Sequence, residues 1–211
     1  DYYIGFKSSG LIQLKYLPDS KVKYAIQSIN IQSGIFCLMK DRFQDIIWVG
    51  ADGQGIYMYF TDEFSIENVL LDVPEYRVNN PVRALFLDHE QTLWIGTKGG
   101  GILRMMDFHP DRETLPQAER ILANNSALMD NSVYSFAPGR RNSLWIGTED
   151  GLNYYSYLTK RIEEFPVIAD GKKVKYVHSI CETNDSTLWV VSAGEGIVKI
   201  TLEASSSLPK V

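Results

Sequence analysis

Thr92-Leu93-Trp94-Ile95-Gly96-Thr97-Lys98-Gly99-Gly100-Gly101-Ile102-Leu103 decides the fold, because the chain repeats it with small edits. Leu144-Trp145-Ile146-Gly147-Thr148-Glu149-Asp150-Gly151-Leu152 is a second copy and Ile47-Trp48-Val49-Gly50-Ala51-Asp52-Gly53-Gln54-Gly55-Ile56 a third. Leu188-Trp189-Val190-Val191-Ser192-Ala193-Gly194-Glu195-Gly196-Ile197 is a fourth, and Tyr2-Tyr3-Ile4-Gly5-Phe6-Lys7-Ser8-Ser9-Gly10-Leu11 a fifth with Tyr for Trp. From Tyr3 the aromatic anchors step by 45, 46, 51 and 44 residues, the period of an architecture built from one repeated supersecondary unit. Each copy reads as a hairpin: an aromatic and β-branched run, a polar turn closed by Gly, then a second apolar run. The closing glycines, Gly10, Gly55, Gly101, Gly151 and Gly196, mark backbone positions of positive φ that a side chain would strain. A phosphate-cradling loop needs a helix after it, and no helical pattern follows any of them.

Around each hairpin two further runs complete a unit. An inner strand precedes it, nearly all-apolar in Ile35 to Asp41 and aligned with Val82 to Asp88, Val133 to Ala137 and Val177 to Glu182. Outer strands follow near Val22 to Ile26, Ile66 to Leu71, Arg120 to Ala123 and Arg161 to Phe165, and Asp107 to Gln117, with Pro110 and Pro116, reads as a surface loop. Four short antiparallel strands per repeat of about 45 residues point to an all-β fold, a β-propeller of four-stranded blades. A solenoid has shorter coils, and a sandwich need not repeat its sequence. The blades fall at 1–30 (incomplete), 31–78, 79–127, 128–173 and 174–211 (incomplete) of one partial propeller.

Of the 211 residues 45% are hydrophobic and 22% charged, the make-up of an ordinary soluble domain. A net charge of −5 with scattered Lys and Arg argues against a nucleic-acid partner. No apolar run approaches the roughly 20 residues that span a bilayer, so no membrane contact is expected of this segment. Cys37 and Cys181 lie in apolar strand patterns and read as two buried thiols rather than a disulfide. Trp48, Trp94, Trp145 and Trp189 could stack on sugar rings, but their repetition at one place in every unit favours packing between blades.

The inner strand, Asp, short turn, Leu-Trp-Ile-Gly-Thr and closing Gly-Leu or Gly-Ile together resemble the two-component regulator propeller repeat. Departures are Gln44, Gln91, Asn142 and Ser186 where the family has a turn Gly, an additional residue before Trp48, and Val191 in place of the glycine after Trp189. The resemblance implies a periplasmic sensor region of a hybrid two-component histidine kinase of gut Bacteroidetes, with two seven-bladed propellers and a sandwich-like domain before the membrane span. It also implies an oligosaccharide or glycan-fragment ligand, a homodimer, and the remaining blades and domains of the same receptor as partners. Seven blades of about 45 residues need roughly 315, so the chain is expected to form an arc of four to five blades, its end faces covered by another copy or by further sequence.

Chemistry-bearing constellations are sparse. His89, His109 and His178 have no ligand at metal spacing, no Gly-x-Ser-x-Gly elbow occurs, and neither a catalytic residue nor a metal or cofactor is expected. Asp41 and Asp88 fall at the same turn of successive units and read as bonding their own turns. One position varies where its surroundings repeat: Phe36, Arg83, Tyr134 and His178 on the inner strands, each followed by a small residue. Inner strands face a propeller axis, so these four are the candidate ligand-binding residues at the channel mouth; the alternative is that they plug the axis or touch a neighbouring blade. A propeller lyase or hydrolase, and a protein-docking propeller without a small ligand, remain as other functions.

Overall fold

Alternating apolar and polar residues between Gly-rich turns give strands along the whole chain in the computed structural model of the protein. Described are residues 1–8, 10–69, 73–108, 115–140, 142–183, 186–203 and 209. Among them the only helical turn is the 3-10 turn Pro74–Tyr76. The chain divides into two compact units, Asp1–Leu85 and Phe86–Val211.

The first unit opens with β1 (Tyr2–Gly5), β2 (Leu11–Tyr16) and β3 (Tyr24–Ile29), an antiparallel sheet in sequence order. Next come β4 (Ile35–Lys40), β5 (Ile46–Ala51), β6 (Ile56–Phe60) and β7 (Ser65–Asn68), a four-stranded meander. The boundary between units falls inside β8 (Val82–Leu87), the first strand of a four-stranded sheet with β9 (Leu93–Thr97), β10 (Ile102–Met106) and β11 (Gln117–Ile121). The second unit adds the sheet β12 (Val133–Pro138), β13 (Ser143–Thr148), β14 (Gly151–Ser156) and β15 (Arg161–Phe165). A two-stranded hairpin, β16 (Ile168–Ala169) and β17 (Lys172–Lys173), leads to the sheet β18 (Val177–Glu182), β19 (Thr187–Ser192) and β20 (Gly196–Thr201). The fold is all-β, and its sheets are propeller blades.

Each core cluster is shared by consecutive sheets. Leu11 and Ile29 of one pack with Ile35, Ile47, Val49 and Tyr59 of the next. In the second unit Trp94 and Ile102 meet Leu144, Ile146 and Tyr155, and Trp145, Tyr154 and Phe165 meet Val177, Leu188 and Val190. Such face-to-face stacking buries the apolar side of sheets that are individually too small to hold a core. The glycine after the anchor sets how close the sheets come: a Cβ on Gly50, Gly96 or Gly147 would sit 2.7, 2.8 or 2.7 Å from a methyl of Val82, Val133 or Val177.

The five closing glycines all have positive φ, from 68° to 140°. Gln91, Asn142 and Ser186 also have positive φ, so these turns keep the left-handed geometry without glycine, whereas Gln44, in the turn with the extra residue, does not.

Several expectations need correction. Trp48, Trp94 and Trp145 are at most 1% exposed, but Trp189 is 38% exposed and Val191 39%, because no strand among the described residues covers that face of β19. Cys181 is exposed on the same sheet, not buried, while Cys37 is half-buried. The first outer strand runs Tyr24–Ile29 and the third Gln117–Ile121, each a few residues from where the apolar run placed it. The second ends at Asn68, with 70–72 outside the described residues, as are 109–114 of the expected surface loop.

Candidate functional site

Inner strands β4, β12 and β18 each carry a register shift against their neighbour, between Ile35 and Cys37, Val133 and Ser135, and Val177 and Ser179. The residue inside each shift is Phe36, Tyr134 or His178. A bulge leaves one residue out of the ladder and re-aims its side chain, so three of the four variable positions are turned by the same local device.

In the first unit the Arg83 guanidinium lies over the Phe36 ring, 3.8 Å from its centroid. Both side chains are half-buried, and the Arg83 Nε is buried without a hydrogen-bond partner. In the second unit the rings of Tyr134 and His178 stack at 4.7 Å and 31°. The Tyr134 hydroxyl donates to Glu149 Oε2 at 2.8 Å, and His178 is exposed. The structure thus joins Phe36 to Arg83 and Tyr134 to His178, each pair across successive inner strands of one unit.

The small residue after two of the three bulges bonds the neighbouring inner strand. Ser135 Oγ donates to the Val177 carbonyl at 3.0 Å, and the Cys37 thiol donates to that of Val82 at 3.6 Å. Burial pushes the Cys37 thiol up to about 12, which keeps it protonated and a donor.

Glu149 went unnoticed in the sequence, although a signal existed. It stands four residues after its Trp, where the other repeats carry Asp52, Lys98 and Ala193, a second variable position on a repeated scaffold. Beside it Asp150 accepts from Lys173 at 2.7 Å and Lys175 at 2.8 Å, and Lys173 foremost holds its carboxyl below the usual carboxylate range.

Asp41 and Asp88 do bond their own turns, accepting from the amides of Phe43 and Gln44, and of Glu90 and Thr92. Each also accepts the indole N–H of its repeat's Trp at 2.8 Å, and Asp88 accepts the Tyr157 hydroxyl at 3.2 Å. Burial, then Asp88, pushes the Tyr157 phenol far up. Among the described residues no group of three or more His, Cys, Asp or Glu is placed to hold a metal ion.

Residues 77–99 and 127–150, which span the inner strand and the Trp strand of two blades, match the family model of the two component regulator propeller. These two stretches resemble the two-component regulator propeller repeat. The chain is 27% identical over 185 residues to Histidine kinase P4 of Formosa agariphila, covering 86% of this chain but 13% of that protein. In fold the chain is similar to the extracellular domain of BT3049 from B. thetaiotaomicron, a protein described as a hybrid two component system, with a TM-score of 0.57 at 18% identity over 92% of this chain and 31% of that one. It is similar also to PorZ, a surface component of the type-IX secretion system of Porphyromonas gingivalis, with a TM-score of 0.51 at 15% identity over 97% of this chain and 38% of that one. No helix among the described residues is long and apolar enough to cross a membrane.

Proposed function

We propose that the chain is a non-catalytic, ligand-sensing part of the extracytoplasmic region of a hybrid two-component receptor, and that it reads oligosaccharides through Phe36, Arg83, Tyr134 and His178. One observation carries the reading: at the inner-strand position where each repeat has a different residue, the side chains stand in stacked pairs, one within each unit. Phe36 and Tyr134 offer ring faces to the C–H surface of a sugar, while Arg83, His178 and the Tyr134–Glu149 pair offer donors and acceptors to its hydroxyls. The likeness to a histidine kinase and to an extracellular domain of a two component system supports the receptor setting, periplasmic in a Gram-negative cell. Ligand passes the signal by favouring one arrangement of blades, or of two copies in a homodimer, over another, which requires unequal affinity for the two.

Glycan-array binding by the purified chain tests the proposal. Binding is expected, weakened by Arg83→Ala, Tyr134→Ala and His178→Ala with thermal unfolding unchanged. A chain that binds no glycan, or variants that lose fold and binding together, would sink it.

A further inference from the structure

We propose a second binding site, on the outer side of the second unit, for a small neutral molecule dense in hydroxyl groups. A cleft of about 490 Å³ opens there between β10–β11 and β14–β15, within the range of small-molecule sites, roughly 300 to 1,000 Å³. It contains none of the four inner-strand residues discussed above, and its argument does not depend on them.

Two of its lining residues carry buried polar atoms without a partner. Tyr155 is 1% exposed, and its hydroxyl makes no hydrogen bond. Arg104, whose Nη1 pairs with Glu119 Oε2 at 3.2 Å, keeps a buried Nε–H that donates to nothing. The two touch, the guanidinium lying 5.1 Å from the Tyr155 ring centroid. Buried polar groups are satisfied almost everywhere in native proteins, so two orphans on neighbouring side chains that line one cleft mark a place for an incoming oxygen.

The remaining lining selects the class. Arg104, Lys160 and Arg161 bring positive charge, Glu119 and Glu163 negative. An anion would meet the two carboxylates and a cation the three basic groups. A hydroxyl both donates and accepts, so a polyol satisfies both sets, while Ile121 and Ile162 supply an apolar patch for a ring's C–H face.

Saturation-transfer NMR on the whole chain tests this with glucose, galactose, maltose and lactose as neutral polyols, citrate as an anion and spermidine as a cation. Transfer to at least one neutral sugar is expected, with affinity reduced about tenfold by Tyr155→Phe, the loss of one hydrogen bond. Glu163→Gln, a surface change, should weaken it as well, and Arg83→Ala should not. Response to citrate or spermidine alone, no response to any sugar, or sugar binding that Arg83→Ala abolishes and Tyr155→Phe spares would each overturn the assignment. The last outcome would leave the inner-strand site standing, whereas loss in Tyr155→Phe with no effect of Arg83→Ala supports the cleft and leaves the inner-strand site to its own test.

Discussion

The Trp145 indole donates to Glu182 Oε2, on the inner strand of the following sheet, at 2.9 Å. Trp48 and Trp94 find their acceptors, Asp41 and Asp88, within their own repeats. The position equivalent to those aspartates is Gly139, where a Cβ would fall 2.9 Å from the Ser143 carbonyl oxygen, so no carboxylate fits there. A bond inside one repeat has become a bond between two. Glu182→Ala leaves a fully buried indole N–H unpaired and is expected to destabilise the second unit by about 1–3 kcal/mol. Denaturant unfolding of Glu182→Ala, Trp145→Phe and the double variant should show coupling; strict additivity would mean that the bond contributes nothing.

Asp88 offers a sharper test of the same motif. Its Oδ2 accepts from both Trp94 and Tyr157 while Oδ1 takes two backbone amides, and the residue is 1% exposed. Asp88→Asn preserves shape but turns an NH2 toward two donors or toward two amides. Its loss in chemical denaturation is expected at about 1–3 kcal/mol, and Trp94→Ala, a core truncation, at about 3–5 kcal/mol. An Asp88→Asn protein as stable as the parent would show that these bonds are dispensable.

The cysteines should separate cleanly by reactivity. Cys37 is held protonated by burial and donates its thiol to Val82, whereas Cys181 is exposed. Ellman's reagent at pH 8 is expected to label Cys181 rapidly and Cys37 only on unfolding. Equal rates for both in the native protein would contradict the burial of Cys37.

Acid should loosen the β16–β17 hairpin through Asp150. A carboxylate whose folded pKa lies below its unfolded value, about 3.9, gives its full stabilisation above that value and loses it as pH falls through the folded one. The side chain is 36% exposed, so the effect is screened and local. Exchange protection of the Val174 amide, which donates to the Val167 carbonyl at 2.9 Å, is therefore expected to fall below about pH 4 in the parent and to be flat in Asp150→Asn. Parallel curves for the two proteins would remove Asp150 from the account.

Strand identity was legible because every repeat writes the same alternation, and the closing glycines announced their positive φ. The hairpin β16–β17 was legible too and went unread: Asp170-Gly171, at φ of 50° and 76°, is the dipeptide of a type I′ turn. What sequence could not disclose was partnership across strands. Phe36 and Arg83 are 47 positions apart, and nothing in either residue says that a bulge tips one ring under the other's guanidinium. Glu182 likewise reads as an ordinary strand-end charge until the absence of an aspartate at Gly139 is matched to it. Trp189 was misjudged for a related reason: repetition tells what a residue packs against only when the neighbouring strand is there to receive it.

Val191 changes what β19 can receive against its face. Where Gly50, Gly96 and Gly147 leave a recess for the methyl of the next inner strand, Val191 already fills it with its own. With one isopropyl group this face refuses a strand led by Val or Ile in the register used elsewhere, and accepts only a surface with a smaller residue or a shifted fit.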